Sequence, residues 1–291
     1  MKSKFIVVSN RLPVSVSRVD GALTFSVSSG GLATAMSSLS VKNQLWVGWP
    51  GLPSDDLTPS EKAQITRTLK KHGCLPVFLT KDEVADFYEG YANDTLWPLF
   101  HYFPSLAQYR DKYWRAYESV NQRFARAALK VAEDDATIWI QDYQLMLTPS
   151  MVRDRLPSAK IGFFLHIPFP SYEIFRLLPE RRRIMRGLMG ADLIGFHIYD
   201  YARHFISSAS RILGAKSDQG VIEYQGHRTT ADVFPIGVDY EKFRKTLASK
   251  AVKDEIAVLD ERYGDQRIIL SVDRLDYSKG IMKRLEAYEQ L

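Results

Sequence analysis

The feature that most limits how this chain can fold is a succession of short, continuous apolar runs separated by stretches with helical spacing. Runs at 5–9, 45–49, 75–79, 137–141, 160–166, 192–196, 232–236 and 267–272 read as strands. Most lack the every-second-residue alternation of a sheet with one wet face; strands buried on both faces of a parallel sheet read this way. Between them, positions 110–132 carry Tyr113, Tyr117, Val120, Phe124, Ala127 and Val131 at steps of four and three, one buried stripe along a helix. Alternating strands and helices predict an α/β fold: a doubly wound, Rossmann-like parallel sheet. At roughly 150 residues per domain, a chain of this length makes about two domains. The charged helical stretch 243–265 separates two apolar runs, so the expectation is a first domain at 1–237, then a linker and the beginning of a second domain at 238–291.

Composition excludes several classes. Hydrophobic residues are 45% and charged residues 25%, which rules out wholesale disorder. A single cysteine, Cys74, rules out an internal disulfide framework and fits a reducing compartment. The apolar stretch Phe5-Ile6-Val7-Val8 is too short for a secretory core, and no run approaches the ~18 apolar residues of a membrane span. A cytoplasmic location and no membrane partner follow as expectations. Lys plus Arg is 39 against 34 for Asp plus Glu, a net +5 that suits an anionic small ligand as well as a nucleic acid. The densest basic run, Arg181-Arg182-Arg183 with Arg186, has no interleaved aromatic residue and reads as a solvated helix face rather than a nucleic-acid platform.

In doubly wound sheets ligands sit beyond the carboxyl ends of the strands. Asn10, Arg11, Asp142, His166, His197 and Arg274 fall directly after predicted strands. Gly30-Gly31 precedes a helical run, where exposed backbone N–H groups and the helix dipole favour an anion; a plain loop is an equal reading. Asp142 can accept hydrogen bonds from sugar hydroxyls or serve as a turn residue. Thr148-Pro149 reads as the N-cap and first position of the following helix. His166 is presented at a rigid edge by the prolines of Ile167-Pro168-Phe169-Pro170. Arg274 and Lys279 flank a loop after a strand and could hold a diphosphate. The aromatic residues Trp46, Trp49, Tyr88, Tyr91 and Trp97 suit a core or a sugar-binding face. No Walker-type, zinc-protease or nucleophile-elbow motif occurs, and the six histidines show no zinc spacing with the one cysteine.

Taken together, a series of segments is far more specific than any one of them. In order they are Val8-Ser9-Asn10-Arg11-Leu12-Pro13, Gly30-Gly31-Leu32-Ala33, Trp46-Val47-Gly48-Trp49-Pro50-Gly51 and Leu96-Trp97-Pro98-Leu99-Phe100-His101-Tyr102. Trp139-Ile140-Gln141-Asp142-Tyr143-Gln144-Leu145, Phe163-Phe164-Leu165-His166-Ile167-Pro168-Phe169-Pro170, Gly195-Phe196-His197 and Asp273-Arg274-Leu275-Asp276-Tyr277-Ser278-Lys279-Gly280 follow. The chain resembles the trehalose-6-phosphate synthase family, retaining glycosyltransferases of family 20 with the two-domain GT-B fold.

The resemblance implies transfer of glucose from UDP-glucose to glucose 6-phosphate, with no metal and no other cofactor. By motif, Arg11 would bind the acceptor phosphate, and Trp49, Tyr88, Trp97 and Asp142 would line the acceptor site. Gly30 and Gly31 would approach the donor diphosphate, His166 and His197 would face the donor sugar, and Arg274 and Lys279 would hold the diphosphate. His166, Asp142, Arg274 and Lys279 would carry the catalytic roles. Retention in this family is thought to run on one face, the leaving phosphate taking the acceptor proton, which fits the absence of a glycosidase-type carboxylate pair. A sister enzyme using another phosphorylated acceptor, such as glycerol 3-phosphate, and a non-catalytic sugar-phosphate sensor are the alternatives, and a homo-oligomer is left open. The family's later donor motif of the form D-G-M-N-L-V-x-x-E is not reached in these residues, so the expectation is an acceptor site largely present, a donor site largely absent and little or no transfer by this chain alone.

Overall fold

The computed structural model describes residues 2–27 and 44–291, and places them in two compact units, Met1–Ile236 and Gly237–Leu291. In the first unit the strands are β1 (Ser3–Arg11), β2 (Val14–Val19), β3 (Ala22–Val27), β4 (Leu45–Trp49), β5 (Cys74–Pro76) and β6 (Ala132–Gln141). They continue with β7 (Lys160–Phe164), β8 (Leu193–Phe196), β9 (Lys216–Asp218), β10 (Val221–Tyr224) and β11 (His227–Val233). Among the described residues nine of these form one sheet in the order β5-β4-β1-β6-β7-β8-β11-β10-β9, while β2 and β3 pair as a separate hairpin. Every neighbouring pair from β5 to β11 is parallel; β10 and β9 close that edge as an antiparallel meander.

The continuous apolar runs are explained by burial on both faces. Ile6, Val7 and Val8 of β1 are all fully buried. Ile6 and Val8 pack into the large core under the helix Asp111–Val131, whereas Val7 joins Ile65, Leu69 and Val16 on the opposite face. That opposite face is covered by α1 (Pro59–Lys71), started by a capping box in which Thr58 and Glu61 bond each other's backbone N–H. The long helix α2 (Asp111–Val131) buries Tyr113, Tyr117, Val120, Phe124 and Val131 as its spacing predicts, with Ala128 rather than Ala127 fully buried in its fifth turn. A short α3 (Thr148–Arg153), then α4 (Arg181–Leu188) and α5 (Tyr199–Leu213), complete the longer helices of this unit. No helix of the described residues is long and apolar enough to cross a membrane.

Several sequence expectations change; among them, the strand read at 232–236 is His227–Val233 and the one read at 75–79 ends at Pro76. Thr148 is not the cap of α3: Leu147 is, and the Thr148 hydroxyl turns inward to donate to Asn121 Oδ1. The strand predicted to reach His166 ends at Phe164, because the Asp142 carboxylate takes the His166 N–H away from the ladder. The run 267–272 forms no strand, with Ile268, Ile269, Leu270 and Val272 exposed. A strand exists only where a neighbour accepts its ladder, and the described residues of the second unit supply helices instead: Tyr240–Leu247, Lys250–Tyr263 and Ile281–Glu289.

The basic run is committed within the protein. On α4, Arg182 donates to the carbonyl of Ile212, Arg183 pairs with Glu118 while lying 4.9 Å over the Trp114 ring, and Arg186 reaches the Tyr224 hydroxyl.

Candidate active site

The strand order reverses direction at β1: the chain runs outward through β4 to β5, returns to β6 on the other side, and proceeds to β11. Doubly wound sheets bind ligands in the crevice beyond the strand tips at such a reversal. Arg11 and Asp142 stand at the tips of the two adjacent strands that flank it, β1 and β6.

Arg11 closes β1 and is in register with Trp49, which closes β4. Its guanidinium lies 4.6 Å from the centroid of the Trp49 ring and 5.7 Å from that of Tyr88. The Trp49 ring is buried, and its Nε1–H donates to the carbonyl of Leu52 at 3.2 Å, so the platform under the cation is fixed. Gly48 permits this approach: a Cβ there would sit 3.0 Å from Leu12 and from the carbonyl of Ser9, where β1 leaves the sheet. A guanidinium resting on aromatic faces keeps its planar N–H fork available to a carboxylate or phosphate.

Tyr88 comes from Val84–Leu96, a segment wound as a wide π-helix, and Trp97 begins the short helix that follows it. Trp97 stacks on His101 at 4.1 Å and meets Tyr143 at 5.8 Å between ring centroids. The Tyr143 hydroxyl donates to Asn93 Oδ1 at 2.9 Å. The aromatic side chains of this segment are therefore tied to the turn that starts at Asp142.

That turn is strained and heavily supported. Asp142 has φ 71 and ψ 170, a region that costs a residue with a side chain about 1–3 kcal/mol. Its backbone N–H donates to the carbonyl of Phe164 at 2.7 Å, and its Oδ1 accepts from the N–H groups of Tyr143 at 3.0 Å and His166 at 3.1 Å. Underneath, two fully buried side chains of α2 satisfy the turn's backbone. The Tyr117 hydroxyl donates to the carbonyl of Tyr143 and accepts from the N–H of Met146. Asn121 donates to the carbonyls of Tyr117 and Gln144 and accepts from the N–H of Leu147 and the hydroxyl of Thr148. Burial pushes the Asp142 carboxyl up to about 7, against the pull of its two backbone hydrogen bonds.

His166 lies one strand over. Its Nε2 is 2.9 Å from Oε1 of the fully buried Gln141, and its ring is 4.6 Å from Phe164 and 5.8 Å from His197. Burial, and secondarily the neighbouring His197, push His166 down to about 4, so the ring is neutral near pH 7. Burial lowers His197 as well.

The structure thus gathers the predicted residues of the first unit into two groups at one sheet edge. Arg11, Trp49 and Tyr88 form one; Asp142, His166 and His197 form the other, with Trp97 joined to it through Tyr143. Gly30 and Gly31 lie outside the described residues. Arg274 and Lys279 belong to the second unit, on either side of Asp276. Burial opposes ionisation of Asp276, yet hydrogen bonds from Ser278 and the charges of Arg274 and Lys279 hold its carboxyl below the ordinary value. Among the described residues no group of three or more His, Cys, Asp or Glu is placed to hold a metal ion.

The family model described as glycosyltransferase family 20 matches residues 3–291. The chain belongs to glycosyltransferase family 20. It is 45% identical over 294 aligned residues to an alpha,alpha-trehalose-phosphate synthase (UDP-forming) of Botryotinia fuckeliana, covering 99% of this chain and 56% of that protein. A solved E. coli structure described as bound with UDP-2-fluoro glucose matches with a TM-score of 0.81 at 30% identity, over 99% of this chain and 60% of its own. The Burkholderia xenovorans synthase in complex with glucose-6-phosphate matches with a TM-score of 0.78 at 28% identity, over 99% of this chain and 62% of its own. The chain therefore has the GT-B type of α/β fold and spans somewhat more than half the length of these family members.

The hydrogen bonds around the strand tips also show what the sequence reading passed over. Gln141, Asn93, Tyr143 and the pair Tyr117 and Asn121 all shape the site, and only Gln141 had a local signal: a polar residue closing the otherwise apolar run 137–141.

Proposed function

We propose that this chain carries the acceptor side of a UDP-forming trehalose-phosphate synthase, which moves glucose from UDP-glucose to glucose 6-phosphate with retention, giving α,α-trehalose 6-phosphate and UDP. The observation that carries this reading is the Arg11 guanidinium in contact with the Trp49 and Tyr88 rings at the sheet's reversal point, in a chain 45% identical to a protein named for that activity. A permanent planar cation on aromatic walls suits a phosphate joined to a sugar: the fork takes the phosphate oxygens and the rings take the sugar's C–H face.

In this reading residues 1–237 bind the acceptor and 238–291 begin the donor domain. Asp142 uses Oδ1 to fix its own turn, and Oδ2 receives acceptor hydroxyls beside Trp97. His166, neutral, accepts a hydrogen bond from a hydroxyl of the donor glucose, with His197 nearby. Arg274 and Lys279 meet the diphosphate. Departure of UDP builds charge on the β-phosphate, and preorganised cations lower that barrier. The departing phosphate oxygen takes the acceptor proton on the same face, so no side chain serves as a general base. No resident cofactor enters this scheme.

Calorimetric titration of the chain with glucose 6-phosphate, glucose and glycerol 3-phosphate tests the reading. Binding of glucose 6-phosphate well above both others, weakened by about 1.5–3 kcal/mol in Arg11→Ala, is the expected result for loss of a charge-assisted phosphate contact. Equal binding of glycerol 3-phosphate would move the reading to the sister enzyme, and an Arg11→Ala variant with undiminished affinity would remove Arg11 from the site.

A further inference from the structure

A buried amide at the tip of β6 addresses a ring the transferase reading uses. Gln141, the last residue of β6, is fully buried, and its Oε1 lies 2.9 Å from His166 Nε2. A carbonyl oxygen can only accept, so this contact is a hydrogen bond only when Nε2 carries the ring proton. We infer that Gln141 is a positioning residue that fixes His166 in its Nε2–H tautomer and thereby turns Nδ1 into a permanent hydrogen-bond acceptor for a substrate hydroxyl.

Three further observations fit together with this. His166 is neutral near pH 7, because burial disfavours its cation, so one ring nitrogen alone carries hydrogen. Nδ1 makes no hydrogen bond among the described residues, while the backbone N–H of His166 is occupied by Asp142. The ring packs against Phe164 and His197, which also meet each other, in a three-ring cluster. With Nε2–H bound below, the lone pair on Nδ1 is the only polar function His166 can offer, and it favours a donor such as a sugar hydroxyl over an acceptor such as a carbonyl or an ether. Identifying that hydroxyl as one on the donor glucose rests on the transferase reading; the tautomer does not. The Gln141 Nε2 amide is buried without a partner among the described residues, so a reversed amide is the physical alternative: Nε2 would then donate to the ring and force the Nδ1–H form.

Long-range nitrogen–proton spectra of the full chain decide between them. There are six histidines, and His166→Gln assigns the signal pair by removing it. The expected wild-type spectrum has the proton on Nε2, exchanging slowly with water, and an unprotonated Nδ1. Gln141→Met, similar in length but without the acceptor, is expected to lose the slow exchange and to show some Nδ1–H form; Gln141→Glu, which keeps an acceptor oxygen, retains the proton on Nε2. A wild-type ring protonated on Nδ1 overturns the proposal, and so does a Gln141→Met spectrum identical to wild type. If Gln141→Met fails to fold, as judged by its amide spectrum, Gln141→Asn retracts the same carbonyl by one carbon and is read by the same two signals. No sugar or nucleotide is present in these measurements, so loss of the transferase reading and loss of the tautomer assignment are separate results.

Discussion

Replacing Asp142 by Asn separates what its carboxylate costs the fold from what it gives the site. The group goes from an ordinary value of 3.8 to about 7 in the folded chain, with burial as the dominant cause. The folded state therefore binds the proton more tightly than the unfolded state. Stability from this group is fully present below the unfolded value and is lost as pH rises through the folded one. Taking those two values, the cost is about 2 kcal/mol at pH 5 and about 4 kcal/mol at pH 8. Asn carries no charge, keeps Oδ1 as acceptor for Tyr143 and His166, and tolerates positive φ better than most residues. Asp142→Asn should thus gain stability over wild type by about 2–3 kcal/mol more at pH 8 than at pH 5. His166 also titrates in this range, its lowered value costing stability as pH falls, but both proteins carry it and it cancels in the difference. Urea unfolding followed by tryptophan fluorescence at the two pH values gives the four free energies needed. The same variant should bind glucose 6-phosphate more weakly, since Oδ2 becomes an amide donor. A stability difference that does not change with pH would show that the carboxylate is not desolvated in the native state, and the reasoning about its burial would fall.

Removing Asn121 as Ala strands the carbonyl of Gln144, the N–H of Leu147 and the hydroxyl of Thr148, and should cost about 2–4 kcal/mol in urea unfolding together with weaker acceptor binding. Gly90 has no room for a methyl group, since a Cβ would stand 2.5 Å from the Tyr113 ring; Gly90→Ala should lower stability by about 1–3 kcal/mol and shift the π-helical segment carrying Tyr88, visible as reduced glucose 6-phosphate affinity. Burial pushes the Cys74 thiol up to about 12, so a thiol reagent at pH 8 should label the native chain ~10³-fold more slowly than the chain in urea; equal rates would mean the edge strand β5 opens readily.

The parts of the fold legible from sequence are those where a strand is buried on both faces, because an unbroken apolar run then has one economical explanation. Ile6, Val7 and Val8 illustrate it. The hairpin β2–β3 and strands β9 and β10 escaped the reading because they are half wet, and β11 was caught only at its end, as the run 232–236. Their turns are nonetheless written in the chain: Asp20-Gly21, Gln219-Gly220 and Gln225-Gly226 each place positive φ at both positions of a two-residue loop. The run 267–272 misled in the opposite direction, since apolar content specifies a need for burial and not the neighbour that provides it. In the site, residues at strand tips were legible because the reversal rule points to them, and Arg11, Asp142 and His166 stand where it says. The supports were not legible. Tyr117 belongs to the α2 stripe by spacing and reads as core, and nothing local distinguishes a tyrosine that bonds the carbonyl of Tyr143, 26 positions away, from one that merely fills space.

Those supports explain how an unfavourable turn persists at the tip of β6. Asp142 combines a backbone conformation suited to glycine with a carboxyl that resists ionisation, and either alone would be removed by a substitution that stabilises the fold. Both costs are met by the same helix: Tyr117 and Asn121 satisfy four backbone groups of residues 143–147, so unwinding the turn to relieve φ would leave those groups buried and unbonded. The turn is therefore held by α2 whether or not a ligand is present. A carboxyl poised near 7 and fixed in direction can bind a polyhydroxyl ligand without first being ordered, and the entropy of ordering is already spent in folding. On this reasoning the strain at Asp142 and the deep polar network beneath it are one device, and a chain that kept Asp142 but replaced Asn121 by an apolar residue would lose acceptor affinity even where its overall stability had been restored elsewhere.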